Sequence, residues 1–327
     1  MLSGHSWFGI GAGQFKSRYM YHQADYFSCN PGSPFVRMAD NINVPFSEPL
    51  QIAIEQGVVG LSIASAIIFS VLVPVMIKNG VKKESGQAFY VYAAGLITLL
   101  LFSCFSYPFM YIQFHFLLIT CLAVLSRSRS GFRIPVVYGK RWFLALIPYL
   151  FMTGYVSFRE IHYFVYMKKL HRLIVDINVN RPEESVHAFT ALEPVLGSDP
   201  VFLVSYANIL SFNKEYGRAA GKLSESLMYQ ASYVTCLELG RNYEQAGDTA
   251  CAIACWELAA GMVPCRFEPI YLQIKSYHQN GQYQQADSLT VLFLGKERKV
   301  DAIKIDVMMR DVRRWQRESM ALKVENY

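Results

Sequence analysis

Arg18, Arg37, Asp40, Glu48 and Glu55 are the residues among the first 57 whose chemistry could be put to work. A guanidinium stays charged and grips phosphate-type oxygens in a bidentate way, so Arg18 and Arg37 could hold an anionic group. A partly desolvated carboxylate can take a proton from a hydroxyl, which makes Glu48 and Glu55 candidates for a general base and Asp40 a third. Each has a plainer reading. Arginines in a loop are ordinarily solvated, and Glu55 could equally favour the N-terminus of a helix that begins near it. The stretch from Gly4 to Phe15 has closely spaced glycines. It lacks the preceding strand and following helix of a dinucleotide site, so tight backbone turns fit it better.

The elements that must position these residues are helices. Val58 to Ile77 is a run of twenty residues without charge, and at about 1.5 Å per residue it matches a hydrocarbon layer of roughly 30 Å. Ala88 to Ser126 is uncharged over 39 residues, about 58 Å as one helix and too long for a single span. Proline lacks an amide donor and disfavours helix at the residue before it, so Ser106-Tyr107-Pro108 divides the run in two. Trp142 to Phe158 makes a fourth segment, extendable through Met167, with Trp142 and Tyr155 as interfacial anchors. A hydrophobic soluble core would need charged faces at helical spacing, and the second run offers none. The expectation is four spans at about 58–77, 88–106, 108–125 and 142–158, within a membrane region of 58–167. Lys78, Lys82 and Lys83 in one loop, and Arg127, Arg129, Arg133, Lys140 and Arg141 in another, mark cytoplasmic sides. Both ends then lie outside, with 1–57 as an external loop. If the fourth segment does not cross, the tail is cytoplasmic instead.

After about residue 168 the composition turns polar and a repeat of 33 to 34 residues begins. Cys236, Leu239, Gly240, Tyr243, Ala252, Trp256, Ala259 and Pro264 fill in order the eight places of a tetratricopeptide repeat. Leu203, Tyr206, Ala207, Leu210, Ala219 and Leu223 stand one period earlier, and Ile274, Tyr277 and Ala286 one period later and less completely. A partial helix around Glu183 to Leu196 caps the array. The fold expected is therefore all-α: polytopic membrane helices followed by an α-solenoid over 168–300 and a helical tail over 301–327. Small residues at 240, 252 and 259 let paired helices approach, while Tyr243 and Trp256 fill the space between them. Such arrays bind protein partners or serve structure alone.

Composition narrows the remaining classes. A net charge of +6 is modest, and no basic-aromatic motif for nucleic acid is present. Seven cysteines show no framework of regular pairs. Cys251 and Cys255 lie four apart on one expected helix, but without accompanying ligands they read as packing thiols rather than a metal site. No cofactor is expected.

Four stretches together carry a resemblance: Gly9-Ile-Gly-Ala-Gly-Gln-Phe15, Arg37-Met-Ala-Asp40, Phe46-Ser-Glu-Pro-Leu-Gln51 and Glu55-Gln-Gly-Val-Val-Gly60. They resemble the large external loop and following helix of the O-antigen ligase and polymerase superfamily, in the Bacteroidetes variants that end in tetratricopeptide repeats. The resemblance covers nearly the whole chain. It implies a metal-independent glycosyltransferase of the bacterial inner membrane, moving a glycan from an undecaprenyl pyrophosphate carrier to an acceptor hydroxyl on a lipid, sugar or protein. It implies that Arg37, and less directly Arg18, hold the donor pyrophosphate. Phe46-Ser47 stand where the family has a histidine followed by asparagine, so the proposed base does not carry over and Glu48 is the substitute. Family members also have many more spans before this loop, and no signal peptide precedes it here. The expectation is that the chain is the C-terminal part of a longer enzyme. The competing class is a non-catalytic, membrane-anchored repeat module that recruits an envelope-assembly partner.

Overall fold

The computed structural model describes residues 4, 6–76, 86–127, 142–177, 182–299 and 302–325. Every regular element among them is helical, as expected. The chain divides into two compact units, one of residues 1–15 and 43–160, the other of 16–42 and 161–327. This division differs from the one read off the sequence. Residues 16–42, expected in the external loop, group with 161–327, and the boundary at 160 falls inside a helix rather than at 167.

The first unit contains α2 (Glu48–Met76), α3 (Gly86–Phe105), α4 (Ile112–Arg127) and the beginning of α5 (Trp142–Ile177). Ser47 caps α2, its hydroxyl accepting from the Leu50 amide at 3.4 Å and its carbonyl from Gln51 at 3.0 Å. Glu48 and Pro49 then occupy the first turn, where a carboxylate and a proline both suit a helix start. The Phe46-Ser47-Glu48-Pro49 sequence thus begins a helix ten residues before the expected span.

Phe89, Ala93, Leu96, Cys121 and Leu125 form a small buried core on α3 and α4, joined by Val71 and Leu72 of α2. Proline does divide the second apolar run. Pro108–Met110 is a short 3₁₀ turn, however, so α4 starts at Ile112 instead of 108.

Only α2, over Glu48–Val73, is long and apolar enough among the described residues to cross a membrane, with 6% of its most apolar window buried. The apolar parts of α3 and α4, Phe89–Phe105 and Ile112–Ser126, are shorter. Ile63, Phe69, Tyr90, Leu101, Phe116, Phe151 and Phe158 are all exposed. The basic residues from which sidedness was read, Lys78, Lys82, Lys83, Arg129, Arg133, Lys140 and Arg141, lie outside the described residues.

The second unit contains α1 (Phe15–Cys29) beyond its first residue, the rest of α5, and then α6 (Pro182–Leu196), α7 (Pro200–Phe212), α8 (Tyr216–Tyr229), α9 (Tyr233–Gln245), α10 (Thr249–Met262), α11 (Glu268–Gln279), α12 (Tyr283–Leu294) and α13 (Ile303–Glu325). From α6 to α8, and on to α12, each helix packs on its neighbours in sequence, the arrangement that short connections favour. The start of α9 lies 33 residues after that of α7, and α10 likewise after α8.

Residues picked out by the repeat pattern form the core. Leu203, Ala207, Leu210, Ala219, Leu223, Ala252, Trp256, Ala259 and Ile274 have no measurable exposure. The helix expected around Glu183 is α6, and the expected tail is α13, which covers α11 and α12 with Met308, Met309, Val312 and Trp315.

Candidate functional site

In the first unit, the glycine-rich loop closes on a break in α2. Gly57 interrupts the helix with φ 69° and ψ −168°, a region essentially restricted to glycine. The break exposes backbone groups on both sides, and the loop satisfies them. Ile10 and Gly11 donate to the carbonyls of Ile54 and Glu55 at 3.0 and 2.9 Å, while Val58 and Val59 donate to Ser6 and Trp7 at 2.9 and 3.2 Å. Two stretches that carried the resemblance, Gly9–Phe15 and Glu55–Gly60, therefore form one structure.

Glu55 is buried there, and its Oε1 accepts from the Phe15 amide at 3.2 Å, the first residue of α1. The helix that begins near Glu55 starts at Glu48, so Glu55 lies inside α2 rather than at its N-terminus, and its carboxylate meets the Phe15 amide instead.

Glu48 is half-buried and Oε1 accepts from the Phe109 amide at 3.0 Å. It thereby ties the start of α2 to the proline break between α3 and α4, where Phe46 also meets Tyr107 at 5.8 Å between ring centroids. His115 of α4 stands beside this point, 5.5 Å from the Phe109 ring and close enough to act electrostatically on Glu48. The sequence reading passed over His115 because it sits inside an apolar run with no neighbouring polar motif.

The two arginines lie in the second unit. Arg37 sits in a 3₁₀ turn, Pro34–Met38, capped by Ser33, and pairs with Glu297 at 3.8 Å, both side chains well exposed. Arg18 is exposed on α1. Glu48 thus belongs to one unit and Arg18 and Arg37 to the other.

What positions Arg18 and Arg37 is a set of bonds from residues 16–42 to the ends of α9 and α10. Ala231 donates to the Lys16 carbonyl at 3.0 Å, and the Tyr233 amide to Asn41 Oδ1 at 3.1 Å. Buried Gln23 donates through Nε2 to the carbonyls of Met262 at 2.5 Å and Asp40 at 3.2 Å. Met20 and Ala24 join the core of the second unit, and Ala24 lies so close to Gly261 that a Cβ on Gly261 would stand 3.3 Å away. The Asn41 amide, at 2.9 Å, and the Arg266 guanidinium, at 3.3 Å, hold the Asp40 carboxyl below its ordinary 3.8. Its stabilising effect is complete above that value and fades as acid protonates it. Nothing in the period or composition of the sequence marks Gln23 or Asn41 as fasteners.

Removing Gln23 tests the docking. Gln23→Leu strips the Met262 carbonyl of a buried donor and the Asp40 carbonyl of a half-buried one, costing about 1–3 kcal/mol. Hydrogen exchange at the Ala231 and Tyr233 amides of the full chain should accelerate. Unchanged exchange there would mean that the remaining contacts hold the segment without Gln23.

Cys251 is exposed on α10 and Cys255 half-buried, its thiol pushed up to about 11 by burial. No protein-family model matches the chain, and no curated protein matches it.

Proposed function

We propose that the chain is a glycan-transferring membrane protein of the O-antigen ligase and polymerase type, with several membrane helices and a tetratricopeptide-repeat solenoid, facing the periplasm at the bacterial inner membrane. The observation that carries this reading is the closure of the Gly9–Phe15 loop on the Gly57 break. It makes a single structure of two stretches that are 40 residues apart between Phe15 and Glu55. Exposed apolar side chains along α2 to α5 support the membrane part, and the burial of the repeat residues supports the solenoid.

In the proposed reaction the acceptor hydroxyl gives its proton to Glu48. Its oxygen bonds to the anomeric carbon of the lipid-linked glycan, and the bond from that carbon to the pyrophosphate breaks. The resemblance gives Arg37, and less directly Arg18, the separate role of holding the donor's pyrophosphate. No cofactor or metal takes part.

The competing reading, a module that only recruits an envelope-assembly partner, has the repeat pattern in its favour. Against it, the ends of α9 and α10 are already engaged by residues 16–42. Transfer from an undecaprenyl-pyrophosphate-linked glycan, with surface glycan measured in cells at matched protein level, separates the two. Glu48→Gln keeps an acceptor for the Phe109 amide while removing the base, and should lower transfer about 100-fold. Arg37→Ala should also impair it. If both variants transfer normally and only substitutions on the repeat face matter, the recruiting module replaces the enzyme.

A further inference from the structure

One face of α5 in the second unit changes character along its length. Ile161, Phe164 and Val165 are exposed at 64%, 56% and 44%, and Lys168, Lys169 and Arg172 are exposed in the turns that follow. The six succeed one another at three- and four-residue steps, which puts them on a single side of the helix. The opposite side is taken. Leu170 is buried in the core of the second unit, Tyr166, Met167, Leu173 and Ile174 pack against that core, and Tyr163 donates to the Asp199 carboxylate at 2.5 Å. Core packing therefore fixes the side on which the cations stand. We propose that this face is a docking surface for anionic lipid headgroups, with the three apolar residues in the hydrocarbon and Lys168, Lys169 and Arg172 at the phosphates.

The order along the axis selects lipid as the occupant. A face made for a protein partner is apolar at its centre and polar around its rim. Here one end is apolar and the other cationic, which matches the change of environment with depth at a bilayer boundary. At about 1.5 Å per residue the three cations span about 6 Å, and a headgroup layer is roughly 5–8 Å deep. The helix also reaches this face from a stretch in which Phe151, Met152 and Phe158 are exposed.

Charge makes the lipid anionic. Residues 161–175 contain no carboxylate, and among the described residues none pairs with Lys168, Lys169 or Arg172. The two ammonium groups lie instead 4.6 Å from the Phe164 ring centroid and 4.9 Å from that of Tyr166. A ring face leaves ammonium donors available for phosphate oxygens, and the Arg172 guanidinium adds a bidentate fork.

The test is hydrogen exchange over residues 161–175 of the full chain, reconstituted into phosphatidylcholine vesicles with and without phosphatidylglycerol. Phosphatidylglycerol should slow exchange there about tenfold, and high salt should shrink the difference. The variant combining Lys168→Gln, Lys169→Gln and Arg172→Gln, all exposed positions, should lose the difference. Arg172→Lys should keep it. Arg310→Gln with Arg313→Gln, which removes two exposed cations from α13, should keep it too.

Equal exchange in both kinds of vesicle overturns the inference. So does protection that follows the protein-to-lipid ratio rather than lipid charge, the result expected of a second copy on this face. Loss of the difference in the α13 variant would also overturn it, because any exposed cation would then serve. The inference rests on the membrane part of the proposed function and not on glycan transfer. Alkaline extraction that strips the chain from membranes removes that part and the inference together, whereas a chain that resists extraction and ignores lipid charge overturns the inference alone.

Discussion

Gly57→Ala should release the N-terminal loop from α2 at a cost of about 3 kcal/mol, combining a glycine-only backbone conformation with overpacking. At φ 69° and ψ −168° the backbone accepts no L side chain without strain. Added to this, a Cβ at Gly57 would stand 2.3 Å from the Trp7 carbonyl oxygen and 2.6 Å from the Gly9 nitrogen. These are backbone atoms, so no side chain can swing aside to make room. The loop must move, and the bonds from Val58 to Ser6 and from Val59 to Trp7 go with it. Hydrogen exchange on the full chain in detergent should show the amides of Ile10, Gly11, Val58 and Val59 losing about 100-fold in protection, with α3 and α4 unchanged. Exchange like that of the wild type would show that the break does not need glycine.

Gly9→Ala makes a matched test. Its Cβ would stand 2.4 Å from the Glu55 carbonyl carbon and oxygen. Because the two glycines face each other, one displacement of the loop relieves both clashes. The double variant should therefore cost less than the sum of the single ones.

This junction marks where sequence reading stops. Gly57 lies in an unbroken approach to an apolar run, and its partners are main-chain atoms of residues 6–11, whose identities carry no record of pairing. The proline break at Pro108 was legible because a missing amide donor acts locally. The exact start of α4 was not, because a 3₁₀ turn satisfies the same local rule. Phe46-Ser47 read as a departure from a family motif and Glu48 as the substitute base; in the structure Ser47 caps a helix and Glu48 also bonds to the Phe109 amide. The helical order of the second unit was more legible, since Ala219 and Ala252, and Leu223 and Trp256, stand 33 residues apart and all four are fully buried. The docking of residues 16–42 depends on partners more than 190 residues away, such as Asn41 with Tyr233. No local pattern encodes it, and it places both candidate arginines in the second unit.

Trp256→Ala should destabilise the second unit by about 3–5 kcal/mol, the usual cost of emptying a buried aromatic site. Trp256 is fully buried, and its indole Nε1 donates to the Leu237 carbonyl at 3.3 Å. It fits only because residue 240 has no side chain: a Cβ there would lie 2.3 Å from Nε1 and 2.7 Å from Cδ1. Gly240→Ala should accordingly cost about 1–3 kcal/mol by overpacking a rigid ring. In Trp256→Leu the added methyl finds space, so the combined variant should be more stable than the two separate costs imply.

The consequence extends beyond α9 and α10. Ala231, Tyr233, Met262 and Arg266 flank this helix pair and hold Lys16, Asn41, Gln23 and Asp40. Opening the pair in Trp256→Ala should therefore speed exchange across residues 16–42 together with α9 and α10. If α9 and α10 open while 16–42 keeps its protection, this helix pair does not hold the segment that carries Arg18 and Arg37.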